Sequence, residues 1–239
     1  MDMNQRYPSM RDFAKALVVK MGAVECIRQP LYDHVLYPTA GVAQLPFFQF
    51  PFGQGLSASP GNANNTKALT DTNLEGGNAG MLPAPQAYWV ESIELDFQPG
   101  SVATANTFTP QVPGNTVAAA TAAVQAGAHD VNAFYSSGAL NFTVGAKSYY
   151  QEGPLYRFPS RSSLRLYCSV ASNSATAVEC VKEKMNNDGE IVKLDPGIGI
   201  MTSMNFQVSL NWPAVVATPS GFNGRAGVYL SGWLYRPVQ

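Results

Sequence analysis

Residues 206–212, Phe-Gln-Val-Ser-Leu-Asn-Trp, decide the fold class of this chain. Apolar side chains occupy every second position of the stretch, and polar side chains occupy the positions between them. A two-residue period places all the apolar side chains on one face of an extended strand. Residues 140–144, Leu-Asn-Phe-Thr-Val, repeat the pattern, and residues 93–97 show it again. These stretches therefore predict strands with one buried face.

The last strand candidate, residues 228–235, carries large side chains on both faces. Its aliphatic residues share one face, and Tyr229, Trp233 and Tyr235 lie on the other. Aromatic side chains opposite a core face are typical of a sheet that is covered on both sides. We expect another sheet or another subunit to cover the aromatic face.

Other apolar runs bounded by Gly, Pro and Asn predict the remaining strands. These candidates are residues 16–29, 42–52, 164–171 and 176–184, with a weaker one near 191–194. About eight strands without interposed amphipathic helices favour an all-β sandwich, jelly roll or barrel. A single jelly-roll β-sandwich fits the length of 239 residues, because two would need about sixteen strands.

Two long stretches interrupt the strand pattern. Residues near 53–80 and near 99–137 are rich in Gly, Asn, Ala and Thr, and predict loop insertions that contact other molecules. We assign residues 1–22 to an N-terminal arm and residues 23–239 to one jelly-roll domain that contains both insertions.

Little helix is expected. Residues 10–18 predict a short helix with Ser9 as its N-cap. The Ala-rich residues 116–126 predict a second one inside the later insertion, with Asn115 or Thr116 as its cap and Gly127 just past its end.

The composition excludes several classes of protein. Hydrophobic residues make up 46% of the chain, enough for a real core, but charged residues make up only 13%, about half the usual share of roughly 25%. A net charge of -1 and a pI near 6.1 argue against a protein whose main task is electrostatic binding of nucleic acid. We find no apolar run of the ~18 to 20 residues that a membrane span needs, and no secretory signal pattern.

The sequence offers few residues for catalysis. Its two histidines, His34 and His129, each lie beside an aspartate, and we interpret both pairs as polar residues of solvated loops. HExxH, CxxC, phosphate-loop and GxSxG patterns are missing from the sequence. We therefore predict no catalytic residue, no metal site, no cofactor and no small-molecule substrate.

Two other residue sets leave a functional alternative open. Glu91, Glu94 and Asp96 lie in one strand, and we favour a solvated strand face over a glycosidase pair. The aromatic residues that could stack on sugars are Tyr88, Trp89, Trp212 and Trp233. Packing in the core or at an interface is the interpretation we favour for them.

The three cysteines fit a chain that folds in a reducing cell. Cys168 and Cys180 lie at equal distances from Ser174, where a turn is predicted. In a symmetric hairpin the two would face each other across the strands, close enough to form a disulfide. Two small buried thiols are the interpretation we favour.

The N-terminal arm is mildly basic. Its cations are Arg6, Arg11, Lys15 and Lys20, opposed by Asp2 and Asp12. They are candidates for weak contacts with nucleic acid or with an acidic lipid surface inside a particle. A simply solvated terminus explains them equally well.

Several segments together resemble a known family. They are residues 81–86 leading into the strand 87–97, residues 138–149, 153–155, 158–159 and 205–213, and the terminal residues 227–239. In order and spacing they resemble the jelly-roll coat proteins of small icosahedral, tail-less bacteriophages, including lipid-containing ones. The resemblance implies a β-sandwich without catalytic groups.

We therefore expect a virion structural protein, the major capsid protein, that self-assembles into an icosahedral shell around the genome. Its partners would be copies of itself and other capsid proteins. It would be made in the host cytoplasm and located in the virion. The alternative is a carbohydrate-binding β-sandwich, such as a viral or bacterial adhesin, with a glycoside hydrolase on the same fold ranking third.

Overall fold

The computed structural model describes residues 7–61, 65–76, 79–111, 117–158, 163–165, 184–186 and 191–238. Within them lie two α-helices, α1 Met10–Met21 and α2 Val117–Ser136, and a short 3₁₀ helix, Leu155–Arg157. The strands are β1 Val24–Arg28, β2 Leu31–Tyr37, β3 Gln44–Phe47, β4 Ala87–Gln98, β5 Ala139–Val144, β6 Lys147–Glu152, β7 Ser163–Arg165, β8 Lys184–Asn186, β9 Val192–Ile200, β10 Phe206–Asn211 and β11 Gly224–Pro237.

Most of these strands form two antiparallel sheets. Sheet A has the order β1–β11–β4–β9, with β2 also paired to β11, and sheet B has the order β3–β10–β5–β6. Large side chains from the two inner faces share one core, which includes Ile93 of β4, Phe142 of β5 and Val208 of β10. The fold is therefore mostly β and sandwich-like, as the sequence predicts.

The pairings between strands are nested along the chain. β1 pairs with β11, β3 with β10, β4 with β9, and β5 with β6. The first described strand thus pairs with the last, and the pairs β3–β10, β4–β9 and β5–β6 lie successively inside that pair along the chain. β11 also pairs with β2 and β4, and β10 also pairs with β5.

The alternating stretches form strands with the predicted faces. In β5, Leu140, Phe142 and Val144 are buried while the residues between them are partly exposed. Phe206 and Val208 of β10 are buried in the same core. The prediction from these two stretches is confirmed, because each strand has one face against the opposite sheet.

Helix α1 replaces the first half of the strand predicted over residues 16–29. Ser9 caps it as predicted, since its side chain accepts a hydrogen bond from the Asp12 N–H at 3.2 Å. The helix continues to Met21, and β1 begins only at Val24. The helix predicted over residues 10–18 is confirmed and is three residues longer, with Phe13 and Leu17, four residues apart, on its buried face. The strand prediction is wrong over residues 16–21.

The aromatic face of β11 is covered at one end by α1. The Phe13 ring lies 5.4 Å from the Trp89 ring and 5.6 Å from the Tyr235 ring, between centroids. We expected another sheet or another subunit at this position. For Tyr235 the expectation is wrong, because the covering element is a helix of the same chain.

Helix α2 occupies half of the stretch predicted as a long loop over residues 99–137. It runs for 20 residues and continues through Gly127, where the sequence predicts the end of a shorter helix. Gly127 is buried inside the helix, where its missing Cβ leaves room for the end of the Gln111 side chain. The prediction that Gly127 marks the end of the helix is wrong.

The strands predicted over residues 164–171 and 176–184 are mostly outside the described residues. Their described parts, β7 and β8, pair with each other in a separate two-stranded sheet. The described ends thus pair in antiparallel orientation, as the hairpin predicted around Ser174 requires. The place of these two strands in the sandwich stays a prediction.

Candidate functional site

A buried ion pair fixes the first insertion, residues 48–86, which connects β3 to β4. Lys67 Nζ donates to Asp33 Oδ1 of β2 at 2.5 Å and to the His34 carbonyl oxygen at 2.9 Å. The two charged side chains are only 3% and 0% exposed. The Phe48 N–H donates to the other carboxylate oxygen, Asp33 Oδ2, at 2.7 Å. The pair thus ties both the start and the middle of the insertion to β2.

Asp71 is the second buried carboxylate of this insertion. Its oxygens accept hydrogen bonds from the Ser57 hydroxyl at 2.6 Å, the Ser59 hydroxyl at 2.8 Å and the Ala58 N–H at 3.1 Å. Burial alone would raise the pKa of Asp71, but the hydrogen bonds, with Ser57 first among them, lower it below its usual value. The ionised carboxylate therefore closes the insertion on itself.

His34 joins the Asp71 segment to sheet A. Its Nδ1 lies 3.1 Å from the Asp71 carbonyl oxygen, and its Nε2 lies 3.1 Å from the Tyr229 hydroxyl. A carbonyl oxygen can only accept, so Nδ1 carries the proton and Nε2 accepts from Tyr229. Burial, followed by the charge of Arg225, lowers the pKa of His34 to about 4. The histidine is therefore neutral at pH 7.

The interpretation of His34 as a residue of a solvated loop is wrong. It lies in β2 and is 4% exposed. Residues 71–73 run along the outer edge of that strand, where Thr72 pairs with Asp33 and the Tyr32 N–H donates to Asn73 Oδ1 at 2.9 Å. The first insertion therefore covers a sheet edge that would otherwise be open to pairing.

Large apolar side chains project from the first insertion. Phe50 and Phe52 are each 50% exposed, Leu56 is 52% exposed and Leu69 is 59% exposed. Their backbone is nevertheless fixed, since the Phe52 N–H donates to the Leu74 carbonyl at 2.9 Å. Exposed apolar groups on a fixed backbone are typical of a surface that another molecule covers.

Three connections meet at one end of the sandwich. We call residues 38–43, 99–111 and 212–223 the loop end. Asn223 links all three, because its side chain accepts from the Thr39 N–H at 3.1 Å and donates to the Thr104 and Thr107 carbonyls at 2.6 and 2.9 Å. Gly41 approaches so closely that a Cβ would lie 2.0 Å from the Val216 carbonyl oxygen. The loop end is therefore one hydrogen-bonded unit.

Helix α2 is attached beneath the loop end. The Phe134 ring stacks on Phe97 of β4, with centroids 4.3 Å apart, and the Trp212 indole N–H donates to the Phe134 carbonyl at 3.2 Å. Asp130, only 1% exposed, accepts from the Ser220 N–H at 2.9 Å and also from the Ser220 hydroxyl. Burial raises the pKa of Asp130. The Asp130 carboxylate therefore holds α2 to the loop end and is not available at the surface.

Charged residues are missing from long stretches of the sequence that supply these surfaces. Residues 34–66, 97–129 and 196–224 contain no Asp, Glu, Lys or Arg. The first two stretches end at residues whose charge is buried, Lys67 and Asp130. The spacing of charged residues along the chain, and not their total number, is therefore the sequence signal of these surfaces.

The predicted basic residues lie at the opposite end of sheet A. Arg11, Lys15 and Lys20 are exposed on α1, and Lys15 Nζ lies 3.9 Å from Asp12 Oδ1. Arg6 is outside the described residues. The contact of these cations with a genome or with lipid stays a prediction.

Cys168 and Cys180, the predicted facing thiols, are also outside the described residues. Cys26 is a free thiol exposed on β1.

The carboxylates of β4 are less solvated than the sequence predicts. Glu94 is 6% exposed and lies opposite Tyr229 of β11. Glu91 accepts from the Trp233 indole N–H at 2.9 Å. The interpretation of a solvated strand face is therefore wrong for Glu94, because the outer face of sheet A carries other side chains beside it.

The four aromatic residues proposed as a sugar platform occupy different places. Tyr88 lies in the core between the sheets, and its single hydroxyl hydrogen is within reach of two backbone carbonyls, those of Gln29 and Leu230. Trp212 belongs to the same core, and Trp89 lies beneath α1. Trp233 is half-buried, with the Arg28 guanidinium 5.7 Å from its ring. The four therefore do not form one platform, because Tyr88 and Trp212 lie between the sheets whereas Trp89 and Trp233 are cross-strand partners beside α1.

The described part of the chain contains no group of three or more His, Cys, Asp or Glu side chains that could hold a metal ion. Neither described helix has the length and hydropathy required to cross a bilayer.

Comparison of the chain with protein-family models, with curated proteins and with solved structures found no match.

Proposed function

We propose that this chain is a virion structural protein, the major capsid protein of a small icosahedral, tail-less bacteriophage. Copies of the chain would associate through repeated contacts into a closed shell around the genome, together with other capsid proteins. The chain would be made in the host cytoplasm and located in the virion. The observation that carries the proposal is the first insertion, which presents half-exposed phenylalanine and leucine side chains on a backbone fixed by buried charges.

The strand pairing supports a single jelly roll as the fold. A jelly roll has eight strands in two antiparallel sheets. If β1 and β2 are taken as one interrupted strand along β11, the sandwich has four strands in each sheet. The nested pairs of β1 with β11, β3 with β10, β4 with β9 and β5 with β6 are the arrangement expected of a hairpin rolled into two sheets.

The hydrogen-bonded backbone of the first insertion favours its use as a contact surface between subunits. A contact made by an already ordered loop loses less conformational entropy than one made by a loop that orders on binding. The half-exposed Phe50, Phe52, Leu56 and Leu69 would supply the apolar area of such a contact. A specific contact between subunits buries about 1,200 Å² or more in total, so neighbouring elements would contribute as well.

Assembly of the purified chain tests the proposal. Light scattering after size exclusion, followed by negative-stain electron microscopy, should show closed particles or symmetric oligomers. The double variant Phe50→Ser/Phe52→Ser should remain folded and lose assembly, whereas Val19→Ser on α1, exposed to 77%, serves as the matched control. A wild-type chain that stays a 25.6 kDa monomer at all concentrations would contradict the proposal.

A further inference from the structure

We infer that the loop end is a contact between identical surfaces, in which the loop end of one copy meets the loop end of another. The inference rests on the proposed self-assembly and names the surface and partner for one of its contacts. The partner is a second copy of this chain.

The first argument is electrostatic. When identical surfaces meet around a symmetry axis, each surface brings the same set of charges, and a charge near the axis faces its own copy. Like charges brought together at an interface weaken it, unless a counter-charge is also present. Residues 38–43, 99–111 and 212–223 contain no Asp, Glu, Lys or Arg, so the loop end meets its own copy without such repulsion.

The positions of the charged residues nearest to the loop end also favour a second copy of this chain as the partner. Asp130, directly beneath the loop end, is 1% exposed and bound to Ser220. By contrast, the opposite end of sheet A exposes the charged residues Arg11, Lys15 and Lys20. An interface with an oppositely charged partner would use charges at the surface, and the loop end provides none.

The loop end also exposes apolar side chains on an ordered backbone. Val215 is 58% exposed and Val102 is 44% exposed. Next to Val215, the Val216 carbonyl oxygen accepts from the Tyr37 hydroxyl. The Thr104 N–H donates to the Val102 carbonyl at 3.0 Å, and the Ser101 N–H donates to the Thr109 carbonyl at 3.0 Å. Both valines are therefore presented in fixed positions.

Paired charge variants test whether the loop end meets itself. Val215→Asp and Val215→Lys each place one charge at this surface, and each should weaken association by about a hundredfold. An equal mixture of the two variants should assemble again, because opposite charges then alternate across the contact. Val19→Asp and Val19→Lys on α1 are the matched controls and should assemble like the wild type. Circular dichroism melts verify that each variant is folded.

The outcomes separate this inference from the proposed function. Loss of assembly in both single variants with recovery in the mixture supports the loop-end contact. If the wild type assembles and both Val215 variants do so equally well, or if the mixture fails to recover, the contact between loop ends is overturned while self-assembly stands. Equal loss in the Val19 controls also overturns it. A wild type that never associates overturns both.

Discussion

The two insertions of this sandwich present similar surfaces but are attached in different ways. The first insertion is fixed by ions, since Lys67 binds Asp33 and serines close around Asp71. The second insertion, residues 99–138, is fixed mainly by aromatic packing of Phe134 on Phe97. Each insertion keeps charge in the interior and lacks it over a long stretch of its sequence. A weakly charged contact surface can therefore be supported either by buried ion pairs or by the hydrophobic core.

Removing the lysine from the first insertion should have the largest effect. Lys67→Met leaves the Asp33 carboxylate buried without its cation and should lower the free energy of unfolding by about 3–5 kcal/mol. Urea denaturation measures the loss. Asp33→Asn in the Lys67→Met background should restore part of the stability, because it removes the uncompensated charge. A single variant as stable as the wild type would show that the ion pair does not hold the insertion.

Truncating the aromatic anchor of the second insertion should cause a comparable loss without any such rescue. Phe134 is 1% exposed, and Phe134→Ala should cost about 3–5 kcal/mol through lost burial and the cavity that remains. Asn132→Ala, an exposed position on the same helix, is the control. If thermal melts show the same transition for Phe134→Ala and the control, α2 is not anchored through the core.

The pH dependence should distinguish His34 from Asp130 by sign. His34 has a pKa of about 4 when folded and about 6.5 when unfolded. Above pH 6.5 neither state binds the proton, and below that value the unfolded state binds it first. The contribution of His34 to the free energy of unfolding should therefore fall as the pH drops from 6.5 to 4, by about 3 kcal/mol in total.

The buried carboxylate of the second insertion should act in the opposite direction. The pKa of Asp130 is raised on folding, so the folded state binds this proton first and gains relative stability as the pH falls through that raised pKa. Denaturant midpoints measured between pH 7 and pH 4 for the wild type, His34→Asn and Asp130→Asn separate the two effects. A His34→Asn variant with the wild-type slope would contradict the first assignment.

The smallest effect is expected at the contact between Asp130 and the loop end. Ser220→Ala removes the hydroxyl donor and leaves the backbone N–H, and should cost about 1 kcal/mol. Ser136→Ala, at an exposed position of α2, should be nearly neutral. Chemical denaturation compares the two. A loss above about 3 kcal/mol would mean that this contact, and not Phe134, anchors the second insertion.

The sequence predicts the strands of the sandwich where apolar and polar residues alternate without interruption. It does not predict most of the polar contacts of the candidate site. Residues 140–144 and 206–212 alternate cleanly and form β5 and β10. Residues 31–37 form a strand as well, but Asp33 and His34 interrupt its apolar pattern. Their partners Lys67 and Asp71 lie more than thirty residues away in sequence. A buried polar network formed over that separation leaves no local signal.

The charge-poor surfaces were predictable in principle. The long intervals between charged residues are visible in the sequence, and only their meeting at one end of the sandwich required the structure. The extent of α2 was hidden for a different reason. Gly127 is typical of a helix end, yet α2 continues through it to Ser136.

The salt dependence of self-association tests the central claim most directly. Contacts made by charge-free surfaces should be insensitive to screening of charges, whereas contacts between charged surfaces weaken as salt is added. Light scattering of the purified chain should therefore give oligomers or particles of unchanged mass from low salt to about 1 M NaCl, where screening acts over about 3 Å. Dissociation to the 25.6 kDa chain as salt rises, or no association at any salt concentration, would contradict the account.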